Sequence, residues 1–63
     1  MSSELKSLQE QLAFETGVLE YAKKVAKEDP SPANRADLRE ARFHVRLLKG
    51  AIEQERERLA PLH

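Results

Sequence analysis

Cysteine is absent from this 63-residue sequence, and glycine, proline and aromatic residues are scarce. Without cysteine, neither a disulfide nor a thiolate metal site can stabilise the chain. The two histidines, His44 and His63, have no second ligand at metal spacing, and no glycine-rich phosphate loop occurs, so we expect no metal and no cofactor. A chain of this length buries only about 60% of the surface of its unfolded state. We therefore expect one small domain that gains stability from a partner or from a second copy.

Long apolar runs are also missing, and none approaches the roughly 18 residues of a membrane-spanning helix. The N-terminal stretch MSSELKSLQEQ lacks the basic start and the apolar core of a signal peptide, so the expected location is cytoplasmic. The 11 basic and 11 acidic residues cancel, which disfavours nucleic acid as a partner. A 35% share of charged residues with few aromatics is typical of long exposed helices.

Turn-forming residues cluster once, in the stretch EDPSPAN at 28–34. Pro30 and Pro32 each disfavour helix at the preceding residue, so the chain should form two helices. Ser31 can cap the second helix with Pro32 at its first position, and Asn34 is the rival cap. The sequence predicts helix 1 over about 3–28, a loop over about 29–31 and helix 2 over about 32–60.

On each predicted helix one mostly apolar line repeats at steps of three and four residues, the pattern of coiled coils. In helix 1 the line consists of Leu5, Leu8, Leu12, Glu15, Leu19, Ala22 and Ala26. In helix 2 it consists of Leu38, Ala41, Val45, Leu48, Ile52, Glu55 and Leu59. If the chain folds back at the proline loop, facing residue numbers sum to about 64 throughout, so one register pairs both lines. We predict an all-α fold, a two-helix antiparallel coiled-coil hairpin in which residues 1–63 form a single domain.

Each of these lines contains one carboxylate, Glu15 in helix 1 and Glu55 in helix 2. The register places them several turns apart on a surface open to water, which disfavours acid–base catalysis, so we expect no enzymatic activity. We expect instead that Glu15 lies near Lys49 and Glu55 near Lys6, where each pair would help to fix the register.

Several apolar residues fall outside the two lines. A second row on helix 1, rotated by roughly 120° from the leucine line, consists of Phe14, Val18, Tyr21 and Val25. On helix 2, Phe43 and Leu47 lie one turn apart on the side away from the seam. One interpretation is that these rows widen the seam, through the valines above all. The other is a contact surface for another chain, with Phe14 and Tyr21 largely exposed.

Helix 2 also carries a stripe of basic residues at steps of four, three, four and three, namely Arg35, Arg39, Arg42, Arg46 and Lys49. The stripe can be a solvated flank that pairs across the hairpin with Glu20, Glu28 or Asp29. Alternatively, the planar guanidinium groups can bind carboxylates or phosphates of a partner.

Residues 8–25, LQEQLAFETGVLEYAKKV, resemble the first helix of the Rho-effector homology region one repeat, the antiparallel coiled-coil finger of the protein kinase N family and the rhophilins. The family pattern has an apolar residue and Glu, a five-residue spacer, Gly-Ala, a polar pair and a further apolar residue. The corresponding segments here are Phe14-Glu15, Thr16 to Glu20, Tyr21-Ala22, Lys23-Lys24 and Val25, with Tyr21 where the family commonly has glycine. Residues 36–59 resemble the second helix of the repeat, with Ala41, Leu48 and Ile52 in seam positions.

This resemblance implies a signalling role, the binding of a GTP-loaded Rho-family GTPase by the outer faces of the hairpin. The helical spacing supplies candidate anchors for such a partner in Phe14, Val18, Tyr21, Phe43 and Leu47. It supplies candidate charge contacts in Arg39, Arg42 and Arg46. The competing hypothesis is structural: two hairpins pack their outer rows together into a four-helix bundle, with no GTPase partner. A hairpin with no activity of its own is a third hypothesis.

Overall fold

The structure is a computed structural model that describes residues 3–60, and it contains two helices. Helix α1 spans Ser3–Glu28 and helix α2 spans Pro32–Leu59. The two helices pack against each other as a rod with extents of 50 × 16 × 13 Å. The predicted all-α helical hairpin is therefore confirmed.

The connection between the helices is a short loop held by local hydrogen bonds. The backbone N–H of Asp29 donates to the carbonyl of Val25 at 2.9 Å, which closes the last turn of α1. The Ser31 hydroxyl accepts from the backbone N–H of Asn34 at 3.2 Å, and Pro32 follows at the first helical position. The Asn34 side chain donates to the Asp29 carbonyl at 2.8 Å. Of the two rival caps, Ser31 is the one that forms, and Asn34 closes the loop.

The core of the hairpin is narrow and consists of five buried residues from the two predicted lines, Ala22, Ala26, Ala41, Val45 and Ile52. The remaining line residues are half-buried, except for Leu59, which is 45% exposed. The expected pairing of Leu59 with Leu5 therefore buries Leu59 poorly.

The observed register agrees with the predicted one at three places along the hairpin. Residues of three predicted pairs line common grooves: Leu12 with Ile52, Glu15 with Leu48, and Ala22 with Ala41. At the open end of the hairpin, the Arg58 guanidinium lies 3.9 Å from the carboxylate of Glu4. Arg58 also donates hydrogen bonds to the carboxylate of Glu55, one turn earlier on α2, and forms an ion pair with it. The hydrogen bond from Arg58 to Glu55 and the negative charge of the Glu55 carboxylate raise the pKa of Arg58 above its ordinary value. The negative charge of Glu4 contributes in the same direction.

Membrane insertion of either helix is not indicated. Over residues 3–60, neither α1 nor α2 contains a stretch that is both long and apolar enough to cross a bilayer.

Candidate protein-interaction surfaces

Large apolar side chains are exposed on both helices. Their exposed fractions are 70% for Phe14 and Tyr21, 55% for Leu47, 53% for Phe43 and 40% for Val18. Val25, by contrast, is half-buried beside the seam. The expectation that Phe14 and Tyr21 are exposed is confirmed, and among the two valines only Val25 widens the seam appreciably.

An open groove runs along one face of the hairpin, between the outer row of α1 and the adjoining side of α2. Its large apolar lining residues are Phe14, Val18, Tyr21 and Val25 from α1 with Leu47 and Leu48 from α2. The groove has two adjoining segments, and both are lined by Phe14, Glu15 and His44. Together the two segments extend past the middle of the hairpin. We call this surface the open groove.

The polar lining of the open groove is acidic. Four carboxylates border it, those of Glu10, Glu15, Asp37 and Glu40. The one titratable base among the lining residues is His44, whose Nδ1 lies 3.2 Å from Glu15 and whose Nε2 lies 4.0 Å from Glu40. Among the residues that the structure describes, no lysine or arginine lines either segment. The groove thus combines an apolar lining with a set of carboxylates, and we call these four carboxylates the acidic rim.

The basic stripe lies on the other side of the seam. Lys49 lines a separate groove with Gln9, Leu12 and Ile52, and the helical spacing places Arg42, seven residues earlier, on the same side of α2. The expected contact between Glu15 and Lys49 is therefore wrong, because Glu15 faces the open groove and binds His44. Across residues 3–60 the stripe forms no ion pair, and Glu20 pairs instead with Lys23 at 3.5 Å. The stripe is exposed to solvent, as the interpretation of a solvated flank expects, but the cross-hairpin ion pairs of that interpretation are absent from the described residues.

The outward side of α2 brings aromatic, aliphatic and basic residues together. Arg39, Phe43, Arg46 and Leu47 follow one another at helical spacing, with Arg42 beside them, and all five are exposed. The Phe43 ring lies 6.3 Å, centroid to centroid, from the His44 ring, tilted by 50°. We call these five residues the α2 ridge.

The eight residues singled out from the sequence therefore fall on two surfaces rather than one. Phe14, Val18 and Tyr21 line the open groove, whereas Phe43 and the three arginines belong to the α2 ridge. Leu47 stands between the two surfaces and contributes to both. A flat partner would cover one surface at a time, since the arginine side of α2 faces away from the open groove.

The acidic rim was not identified from the sequence. Its signal is present, because Asp37, Glu40, His44 and Leu47 step by three, four and three along α2, immediately beside the seam residue Ala41. The carboxylates of α1 and α2 can be recognised as one surface only once the two helices are packed.

Metal binding has no support among residues 3–60, where no group of three or more His, Asp or Glu side chains is placed to hold an ion. His63 lies outside the described residues. Comparisons with protein families, with curated proteins and with solved structures found no match to this chain.

Proposed function

We propose that this hairpin is a non-enzymatic protein-interaction module that binds a GTP-loaded Rho-family GTPase through the α2 ridge. The observation that carries the proposal is the exposure of Phe43 and Leu47 among arginines that have no ion-pair partner within residues 3–60. The identity of the partner rests on the resemblance of both helices to the Rho-effector homology repeat.

The composition of the α2 ridge suits a protein contact. Aromatic residues and arginine are enriched at positions that dominate binding energy, and charge complementarity accelerates association. A guanidinium group without an internal carboxylate partner can form a two-pronged hydrogen bond with an acidic residue of another protein. Phe43 and Leu47 would supply the apolar centre of the contact, with Arg39, Arg42 and Arg46 at its edge.

The departure from the family at Tyr21 does not obstruct this surface. Tyr21 lines the open groove on α1, on the far side of the seam from the basic stripe. The ring is therefore compatible with a partner that approaches the α2 ridge, while it would crowd a partner that approaches the open groove closely.

The direct test is calorimetric titration of the hairpin with a Rho-family GTPase, loaded either with a non-hydrolysable GTP analogue or with GDP. The proposal expects binding to the GTP-analogue form and at least about tenfold weaker binding to the GDP form. Phe43→Ser should weaken binding by a factor of about ten or more, as expected of a central aromatic anchor. Lys24→Gln, an exposed substitution on α1, is the matched control and should bind like the unchanged chain. Equal affinity for both nucleotide forms, or no binding, would refute the partner.

Self-association is the second candidate, and the exposed row of the open groove favours it. Two hairpins that pack Phe14, Val18 and Tyr21 against each other would form a four-helix bundle and would enlarge a core that has five buried residues within residues 3–60. In a two-fold dimer the same patch meets itself, so Glu10, Asp37 and Glu40 of both copies would approach one another. This repulsion makes self-association the weaker candidate.

A further inference from the structure

We propose that the open groove is the docking site for an amphipathic helix with basic flanks, supplied by another protein segment. This partner is distinct from the GTPase, and its surface shares only Leu47 with the α2 ridge. The proposal rests on the shape of the groove, on the spacing of its apolar residues and on the charge of its rim.

The spacing of the apolar row on α1 indicates that the partner is a helix. Phe14, Val18, Tyr21 and Val25 are separated by four, three and four residues, the repeat with which one helix packs along another. The lining on α1 extends from Ser7 to Val25, which corresponds to about 27 Å of helix at 1.5 Å per residue. A helix of about 18 residues laid in the groove would match this length and would complete a three-helix bundle.

The negative charge of the rim indicates that the flanks of the docked helix carry basic residues. Glu10 and Asp37 form no ion pair within residues 3–60, and the carboxylates of Glu15 and Glu40 have only the half-exposed His44 between them. Lysine or arginine on both flanks of a docked helix would approach these carboxylates, whereas glutamate on the flanks would be repelled.

The same charges argue against a second copy of this chain as the occupant. The surface that a second hairpin would offer in a two-fold dimer is the acidic groove itself. The basic stripe of a second copy would offer the right charge, but Arg35, Arg39, Arg42, Arg46 and Lys49 form a charged line rather than the apolar face that Phe14 and Tyr21 require.

The experiment uses three synthetic peptides of 18 residues, each labelled with a fluorophore and titrated with the full hairpin while anisotropy is measured. The first has leucines on one helical face and lysines on the flanks; the second replaces the lysines with glutamates. The third has the composition of the first in an order without an apolar face. The proposal expects binding of the first peptide and at least about tenfold weaker binding of the other two.

Variants of the hairpin locate the site. Phe14→Ser and Tyr21→Ser should each weaken binding of the lysine peptide by a factor of about ten, because both rings line the groove and are exposed to a partner. The double variant Asp37→Asn, Glu40→Gln should weaken it by a factor of about three to ten and should flatten its dependence on salt. Thr16→Ala, at an exposed position of α1 that lines neither segment of the groove and lies outside the α2 ridge, should leave the affinity unchanged. Circular dichroism of each variant checks that the hairpin remains helical.

Three results would overturn the proposal. Equal affinity for the lysine and glutamate peptides would remove the role of the acidic rim. Equal affinity for the ordered and disordered lysine peptides would reduce the interaction to net charge. A hairpin that is dimeric alone and becomes monomeric through Phe14→Ser would show that a second copy fills the groove. None of these measurements involves a GTPase. A negative result with the peptides would therefore not contradict GTPase binding by the α2 ridge, which the calorimetric titration tests separately.

Discussion

Glu15 of α1 and His44 of α2 are joined across the hairpin by a contact of 3.2 Å between the carboxylate and Nδ1 of the imidazole. The contact lies on the face of the open groove, next to the half-buried Leu48. It links the two helices midway along their length, whereas the ion pair between Glu4 and Arg58 links them at the open end. The polar residue that interrupts the apolar line of α1 thus contributes a cross-helix interaction.

We predict a small energetic coupling between Glu15 and His44. Their side chains are 22% and 46% exposed, so water competes for the hydrogen bond and screens the charge. A double-mutant cycle with Glu15→Gln and His44→Ala should give a coupling of about 0.2 to 1 kcal/mol in the free energy of unfolding, measured by urea denaturation. A coupling near zero would mean that the contact does not persist in solution.

The seam could be predicted from the sequence because the three-four repeat places its residues on one side of each helix regardless of what surrounds them. The partner of Glu15 could not be predicted in the same way. Lys49 and His44 flank the seam of α2 on opposite sides, and the choice between them depends on which sides of α1 and α2 share a face after packing. For the same reason the sequence alone assigns the groove residues and the three arginines to one partner, although the seam separates them.

We predict that truncation of a core residue destabilises the hairpin far more than truncation of a groove residue. Ile52 is 7% exposed, and Ile52→Ala should lower the free energy of unfolding by about 2 kcal/mol or more. Phe14→Ala should change it by less than about 0.5 kcal/mol, because the ring is mostly in water. Thermal denaturation followed by circular dichroism gives both values. A large loss for Phe14→Ala would identify the ring as part of a core formed with another molecule.

We predict that replacing either glycine with alanine stabilises the hairpin. Gly17 and Gly50 lie inside helices, and a Cβ atom at either position meets nothing within 4 Å. Gly17→Ala and Gly50→Ala should each raise the free energy of unfolding by about 1 kcal/mol. If either substitution lowers the stability, a backbone from another chain must approach that glycine closely in solution.

We predict that the cap of α2 contributes measurably to stability. Ser31→Ala removes the oxygen that accepts from the Asn34 backbone N–H and should cost about 1 kcal/mol in urea denaturation. Ser7→Ala is the matched control, since Ser7 is exposed in the interior of α1, where alanine is the better helix former. Equal effects of the two substitutions would contradict the assignment of Ser31 as the cap.

Sedimentation equilibrium over a wide range of concentrations, with circular dichroism on the same samples, tests most directly whether the open groove and the α2 ridge are free for partners. We predict a helical species of 7.2 kDa at all concentrations, with helicity that does not depend on concentration. A species of twice that mass, with helicity that rises as the dimer forms, would contradict the account, because the apolar surfaces would then be occupied by a second copy.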